Sequence, residues 1–510
     1  MVSTVVSRQF YCTISVGSYS FLVNKKCRIY AACGVLQTPI QETVKGGTTM
    51  AIEAAFIVPH PPLIVPAVGR GGEKQIQETT EAYEKVADEI AKIAPETIII
   101  TSPHSIMYTD YFHISPGKRA KGSFARFNAP EVSFEEEYDE ELVEAISDIA
   151  YEEDFAAGTL GEREPELDHG TMVPLWFIRK KYKGGKIVRI GLSGLGLLDH
   201  YRLGQMIQKA VNDTGRRAVF VASGDLSHKL QDYGPYGFSK EGPVYDERIM
   251  DVAKGAFFCE MFDFKEDFCE KAAECGHRSF VIMAGALDGM AVDATVYSHQ
   301  DVTGVGYGIA SFYPAGEDAS RHFRDIYLAK LRETLDDSNA SSDEYVKLAR
   351  KSLESYILNQ KVLPLPKDLP KEMLETQAGA FVSIHKAGRL RGCIGTILPT
   401  TKCVAEEIIQ NAISASTRDN RFNPISSEEI PDLEINVDVL STPETIDSPD
   451  KLDVKRYGVI VSSGGRRGLL LPDLDGVTSV NQQISIARQK GGIGENEPIS
   501  LQRFEVIRHI

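Results

Sequence analysis

Three of the 11 histidines share one context: each stands a few residues beyond a short apolar run. Ala55-Phe56-Ile57-Val58 runs into Pro59-His60-Pro61, and Ile98-Ile99-Ile100 runs into Ser102-Pro103-His104. Ala218-Val219-Phe220-Val221-Ala222 runs into Ser223-Gly224-Asp225-Leu226-Ser227-His228. Two imidazoles and one anionic donor make a set suited to Fe(II), with coordination positions left for substrate and oxygen. His60 and His104 supply the imidazoles. The anion comes from Ala273-Glu274-Cys275-Gly276: Glu274 would complete a ferrous facial triad, whereas Cys275 would make a softer site open to copper or zinc. Both alternatives stand. His228, with a pKa naturally near neutrality, suits a general base for a metal-bound hydroxyl. Asp225 would orient that base or cap the next helix. His169, on a predicted loop, is placed to donate to bound oxygen or substrate. His113, His200, His277 and His299 lack such a context.

Positioning three such histidines asks for strands that end together. The apolar runs have strand length, and prolines or glycine stop them. In an open α/β sheet, ligands bind beyond the carboxyl ends of the strands, so strand exits from distant parts of the chain can share one pocket. Strand and helix signals alternate from 51 to about 315. Ile76, Thr80, Tyr83, Val86, Ile90 and Ile93 recur at helical spacing before Pro95, and Leu142, Ile146 and Ile149 mark a helix on a very acidic segment. Lys186–Ile190 reads as a strand, Leu203, Ile207, Ala210 and Val211 as a helix, and Val292–Tyr297 with Gly304–Tyr313 as closing strands. The expected fold is an α/β sheet with helices on both faces.

With 510 residues, the chain exceeds one ordinary core. It is 42% hydrophobic and 25% charged with a formal net charge of −16, and no Lys/Arg-rich run interleaves with aromatics. Nucleic acid and anionic membrane are therefore not expected partners. No apolar run approaches the roughly 18 residues that span a bilayer. Eight cysteines without a C-x-x-C pair form neither a disulfide framework nor a zinc ribbon, which predicts a reducing, cytoplasmic setting. Residues 1–49 set Arg8, Lys25, Lys26, Arg28 and Lys45 against Glu42 alone. They are expected to be a disordered extension without chemistry, Met50 directly preceding the first strand. The expected boundaries are 50–316 for the metal-binding domain, 317–342 for a connecting helix and polar linker, and 343–510 for a second domain.

That second domain carries Arg391-Gly392-Cys393-Ile394-Gly395, which packs a cation, a thiol and two glycines into five residues. One reading is a pocket in which amides and Arg391 hold an anion beside a reactive Cys393 thiol. The other is a tight turn with Cys393 as a small hydrophobe. Asp419 and Arg421 either pair with that loop or cap a helix.

Residues 51–315 resemble the LigB-type class III extradiol dioxygenases, and more closely their Memo-like branch. The resemblance is carried by Val58-Pro59-His60-Pro61-Pro62, Ser102-Pro103-His104, Asp168-His169-Gly170, Ser223–His228 and Glu274-Cys275-Gly276. It implies iron on His60 and His104 with a glutamate, and His228 as acid/base. In Memo-like proteins a cysteine occupies the third-ligand region, as Cys275 does here, which implies a metal-binding or scaffold role instead. Residues 343–510 resemble the AMMECR family through Leu390–Thr396, Thr417–Pro424 and Gly468–Pro472. The expected second domain is thus a smaller α+β fold. The whole resembles the fused proteins of the AmmeMemoRadiSam system, which implies a radical-SAM partner. The expected substrate is a small aromatic or catechol-like compound; the residues leave its identity open, and a homo-oligomer is compatible with them.

Overall fold

The structure, a computed structural model, describes residues 52–161, 166–386, 388–474 and 476–510, together with two short strands. Those strands, Tyr11–Val16 and Tyr19–Asn24, pair antiparallel; otherwise the expectation for residues 1–49 lies outside the described residues. The chain divides into two compact units at Tyr327/Leu328.

The first unit is built on strands β1 (Ile52–Val58), β2 (Thr97–Ser102), β3 (Lys186–Gly191), β4 (Ala218–Ser223), β5 (Met290–Gln300) and β6 (Tyr307–Glu317). Their order in the sheet is β5-β6-β1-β4-β2-β3. β4 runs parallel to both β1 and β2, and β3 parallel to β2, while β6 and β5 close the other edge antiparallel. Alternation decides which face each side chain serves. Ala55, Ile57, Ile99, Phe220 and Ala222 enter one core, whereas Ala54, Phe56, Val58, Ile98, Ile100, Val219 and Val221 enter the other. Both faces are covered, which is why these strands read as unbroken apolar runs.

Helices α1 (Gln77–Ile93) and α3 (His169–Lys181) pack on one face. Helices α2 (Glu140–Glu152), α4 (Leu197–Thr214), α5 (Glu241–Gly255) and α6 (His277–Ala286) contribute to the other. α1 buries Thr79, Ala82, Tyr83, Val86, Ala87 and Ile90, the stripe expected of an amphipathic helix. α4 and α6 approach so closely that a Cβ on Gly204 would lie 2.1 Å from the Ile282 carbonyl oxygen, and one on Gly285 2.0 Å from that of Tyr201. This contact seats α6, whose first turn follows directly on Cys275.

Three elements differ from the sequence reading. His169 opens a helix rather than lying on a loop: Asp168 accepts from the Thr171 amide and caps α3. Gly170 and Pro174 disguise this helix, since both are poor helix formers. The acidic segment before α2 contributes strand Ala129–Glu137 to a hairpin with Arg119–Phe124. The polar stretch after Asp336 continues helix Phe323–Ser341, because it contains no proline or glycine to stop it.

The second unit holds α7 (Glu344–Asn359), β7 (Ala380–Lys386), β8 (Arg389–Gly395), α8 (Val404–Thr417) and β9 (Leu433–Leu440). It continues with β10 (Glu444–Ile446), β11 (Gly458–Ser463), β12 (Arg466–Leu470), α9 (Val480–Lys490), β13 (Ser500–Phe504) and β14 (Val506–His509). Two four-stranded sheets result, β8-β7-β9-β14 and β10-β13-β11-β12, with every pairing antiparallel. α7 and α8 cover the first sheet and α9 the second, giving the α+β fold expected of the smaller domain.

Candidate metal centre

β4 lies between β1 and β2, and register pairs Ser223 with Val58 and Ala222 with Thr101. The three carboxyl ends are therefore level, and the residues that follow them meet. His60 Nε2 and His104 Nε2 are 3.0 Å apart, and Cys275 Sγ lies 3.6 Å from His60 Nε2. Potential ligand atoms of His60, His104 and Cys275 all fall within 4.8 Å of one another, and those of Asp225, His228 and Cys275 form a second such group.

Cys275 reaches the strand ends because two backbones touch. A Cβ on Gly224 would stand 2.1 Å from Gly276 Cα. Gly224 therefore serves close approach of the two backbones. The Asp225 amide donates to Cys275 Sγ at 3.3 Å, and the Gly276 amide to the Asp225 carbonyl at 3.1 Å. Glu274 points elsewhere. It accepts from the His277 amide at 2.6 Å at the start of α6, and burial raises its pKa to about 7. Of the two candidate anions, the structure places Cys275 and not Glu274 beside the imidazoles, because adjacent residues on one turn face opposite ways.

The His60 tautomer follows from its neighbours. Ser223 Oγ donates to the Gly170 carbonyl at 2.6 Å, so its one proton is committed there. The 3.0 Å contact between His60 Nδ1 and Ser223 Oγ then requires Nδ1–H as the donor. Nε2 is left as a bare lone pair aimed at His104 and Cys275, the form a metal ligand needs. Burial, reinforced by His104, holds the His60 pKa well below its usual value. Burial also lowers His104, whose side is the open one. The Cys275 thiol is pushed up by burial and then by Asp225 and Glu274; a bound cation reverses that balance and favours thiolate. Two imidazoles, a thiol and a buried carboxylate fit a transition metal, with the thiol favouring iron, copper or zinc over a hard cation.

Asp225 caps no helix. Its Oδ1 accepts from the His60 amide at 2.7 Å, and Oδ2 lies 4.0 Å from His60 Nε2 and 3.9 Å from His228 Nε2. His228 Nε2 is buried and makes no hydrogen bond among the described residues, while its ring stacks on Tyr236 at 5.1 Å. Burial lowers its pKa, keeping it neutral and able to accept a proton. His169 stacks on His104 at 4.0 Å; burial and then the two imidazoles lower it to about 3, so it stays a neutral donor–acceptor. Sequence reasoning overlooked Ser102, Ser223 and Tyr236. Ser102 Oγ accepts from the His104 amide at 3.2 Å and donates to Asp168 at 2.5 Å. The two serines are the last residues of β2 and β4, a position that hinted at such roles.

In the second unit, Asp419 and Arg421 do pair with the Cys393 segment. Asp419 accepts from the Cys393 amide at 2.9 Å and from Arg421 at 2.9 and 2.7 Å. Arg391 is not free to hold an anion: Glu429 takes it at 3.0 and 2.9 Å, and the Asn423 carbonyl at 2.8 Å. The anion-pocket reading of Arg391 is corrected accordingly. Ser383 Oγ donates to Cys393 Sγ at 3.3 Å.

Residues 54–310 match the family described as catalytic LigB subunit of aromatic ring-opening dioxygenase, and residues 346–509 match the AMMECR1 family. The chain belongs to the LigB family, and its first unit has that dioxygenase-like fold. More particularly, it is a LigB–AMMECR1 fusion. A Clostridium acetobutylicum protein is 40% identical to it over 90% of this chain and 99% of that protein. A Thermotoga maritima protein is 48% identical over 32% of this chain and 96% of its own length. Among solved structures, a Pyrococcus horikoshii protein is 31% identical over 33% of this chain and 91% of that one, with a TM-score of 0.31. Among the described residues no helix is long and apolar enough to cross a membrane.

Proposed function

We propose that the first unit is a metal-dependent oxidoreductase of the extradiol ring-cleavage type, holding iron on His60, His104 and Cys275. The observation that carries this reading is the convergence of two imidazoles and one thiol at level strand ends, with His60 Nε2 presented as a bare lone pair. Fe(II) bound there would supply oxygen activation and a Lewis acid for substrate oxygens. The chain's own residues do the rest. His228 Nε2, buried and without a hydrogen bond among the described residues, takes the proton of an incoming phenolic hydroxyl. Asp225, 3.9 Å away, stabilises the imidazolium that results. His169, neutral and stacked on His104, offers a hydrogen bond on the other side. The substrate class that suits this set is a small catechol.

One observation favours a second reading. With Cys275 in place of a carboxylate, the site is softer than a ferrous facial triad, as in a protein that binds or buffers metal without turnover. Full-length protein purified without oxygen and loaded with Fe(II) separates the two. Oxygen uptake with a panel of catechols, and its loss in His228→Ala at unchanged iron content, supports the enzyme. Stoichiometric iron with no uptake supports the binding protein.

A further inference from the structure

Pro174 lies inside α3, buried, at the position whose amide would bond back to the Gly170 carbonyl. Proline has no N–H, so the helix cannot make that bond. The Gly170 carbonyl accepts instead from Ser223 Oγ at 2.6 Å, across from the end of β4. With its proton committed to Gly170, Ser223 can only accept from His60 Nδ1 at 3.0 Å. The same turn is pressed against the exit of β2: a Cβ on Gly170 would lie 2.4 Å from Ser102 Oγ and 3.4 Å from the His104 ring. From these contacts we infer that Pro174 is a positioning residue for the metal centre: by withholding one helical hydrogen bond, it frees the carbonyl that, through Ser223, keeps the proton on Nδ1 of His60.

The alternative state is well defined. If residue 174 had an amide, it would share the Gly170 carbonyl, draw it toward the helix axis and weaken the bond from Ser223. Ser223 would then be free to turn its hydroxyl and donate to Nδ1, and the His60 proton would sit on Nε2, aimed at the metal position. Asp168 anchors the same helical turn by accepting from Ser102 and Thr171, with the buried Arg189 guanidinium 3.7 Å away. One turn of α3 therefore touches the segments of both imidazole ligands.

This inference rests on the metal reading above, and its test separates the two. Full-length wild type, Pro174→Ala, Ser223→Ala and the double variant are compared in three measurements: imidazole nitrogen NMR of the metal-free protein, Zn(II) affinity by competition titration, and melting temperature. Pro174→Ala is expected to move His60 toward the Nε2–H tautomer and weaken Zn(II) binding about tenfold, with melting unchanged or raised. Ser223→Ala should weaken it by about 10 to 100-fold, the range for groups that hold a ligand from behind. The double variant should bind no worse than Ser223→Ala alone, because both act on one contact. An unchanged tautomer and affinity in Pro174→Ala, or additive losses in the double variant, overturns the inference. Lower melting with an unaltered tautomer assigns Pro174 to packing alone and also overturns it. Failure of wild type to bind Zn(II) defeats the metal reading, while the NMR comparison still decides whether Pro174 sets the tautomer.

Discussion

The choice between Cys275 and Glu274 can be put to a quantitative test. Cys275 Sγ is 3.6 Å from His60 Nε2, whereas the Glu274 carboxylate is engaged by the His277 amide at 2.6 Å. Cys275→Ala removes one of three donors and the only anion among them, so metal affinity should fall by more than about 100-fold, beyond the loss typical of groups behind a ligand. Glu274→Gln keeps an acceptor for the helix start and should cost at most about tenfold. Ligand-linked stability turns this into a melting experiment. With free metal at about 100 times Kd, binding stabilises the folded protein by about 2.7 kcal/mol; a 100-fold weaker site leaves about 0.4. The difference of roughly 2.3 kcal/mol corresponds to about 5 °C or more at 2–4 °C per kcal/mol. In the absence of metal, Cys275→Ala loses weak sulfur contacts with the Asp225 amide, His60 Nε2 and the Asp225 carbonyl, each worth about 1 kcal/mol or less. Calorimetry with and without Zn(II) should show the metal-dependent shift vanish in Cys275→Ala and persist in Glu274→Gln. The reverse pattern would place the carboxylate on the metal and refute the geometry.

Other expectations concern the base, the crossing and the second unit. His228→Ala should lower turnover of a catechol by about 10² to 10⁴-fold with iron content unchanged, measured by oxygen uptake beside metal analysis. Gly224→Ala places a methyl 2.1 Å from Gly276 Cα, so it should destabilise by about 1–3 kcal/mol and weaken Zn(II) binding by displacing Cys275. A melting temperature equal to wild type would contradict that crossing. For Glu429, burial acts to raise the pKa, but hydrogen bonds from Arg391, the Ser426 amide and Lys386 outweigh it and bring it to about 2. A folded-state pKa below the unfolded value of about 4.3 gives stability that is present above that pH and lost as pH falls toward 2. Glu429→Gln should therefore destabilise the second unit by roughly 1–2 kcal/mol at pH 7, discounted for partial solvent contact, and flatten its acid dependence. Hydrogen exchange in β7 would measure it; an unchanged acid profile would sink the assignment.

The histidines were legible because parallel strands covered on both faces must be apolar throughout, so their exits stand out against proline and glycine. His60, His104 and His228 could be grouped for that reason alone. Glu274 and Cys275 could not be told apart, because neighbours in sequence diverge by half a turn and only the Gly224–Gly276 contact fixes which faces the strands. α3 was hidden by Gly170 and Pro174, whose low helix propensity is outweighed by the Asp168 cap and burial of Met172, Val173, Leu175, Phe177 and Ile178. Arg391 was legible as a cation but not as a satisfied one, since its partner Glu429 is 38 positions away. The hairpin before α2 escaped because charged residues crowd its sequence: Arg119 pairs with Glu137 across it, and Glu136 turns inward to Arg179.

His60 is enclosed while His104 faces solvent. A cation seated between them would have a closed inner wall and an outer flank exposed to solvent. Exchange can then proceed from the His104 flank with the fold intact: a small chelator in the bathing solution should strip the ion without melting the sheet, and replenishment should need no refolding.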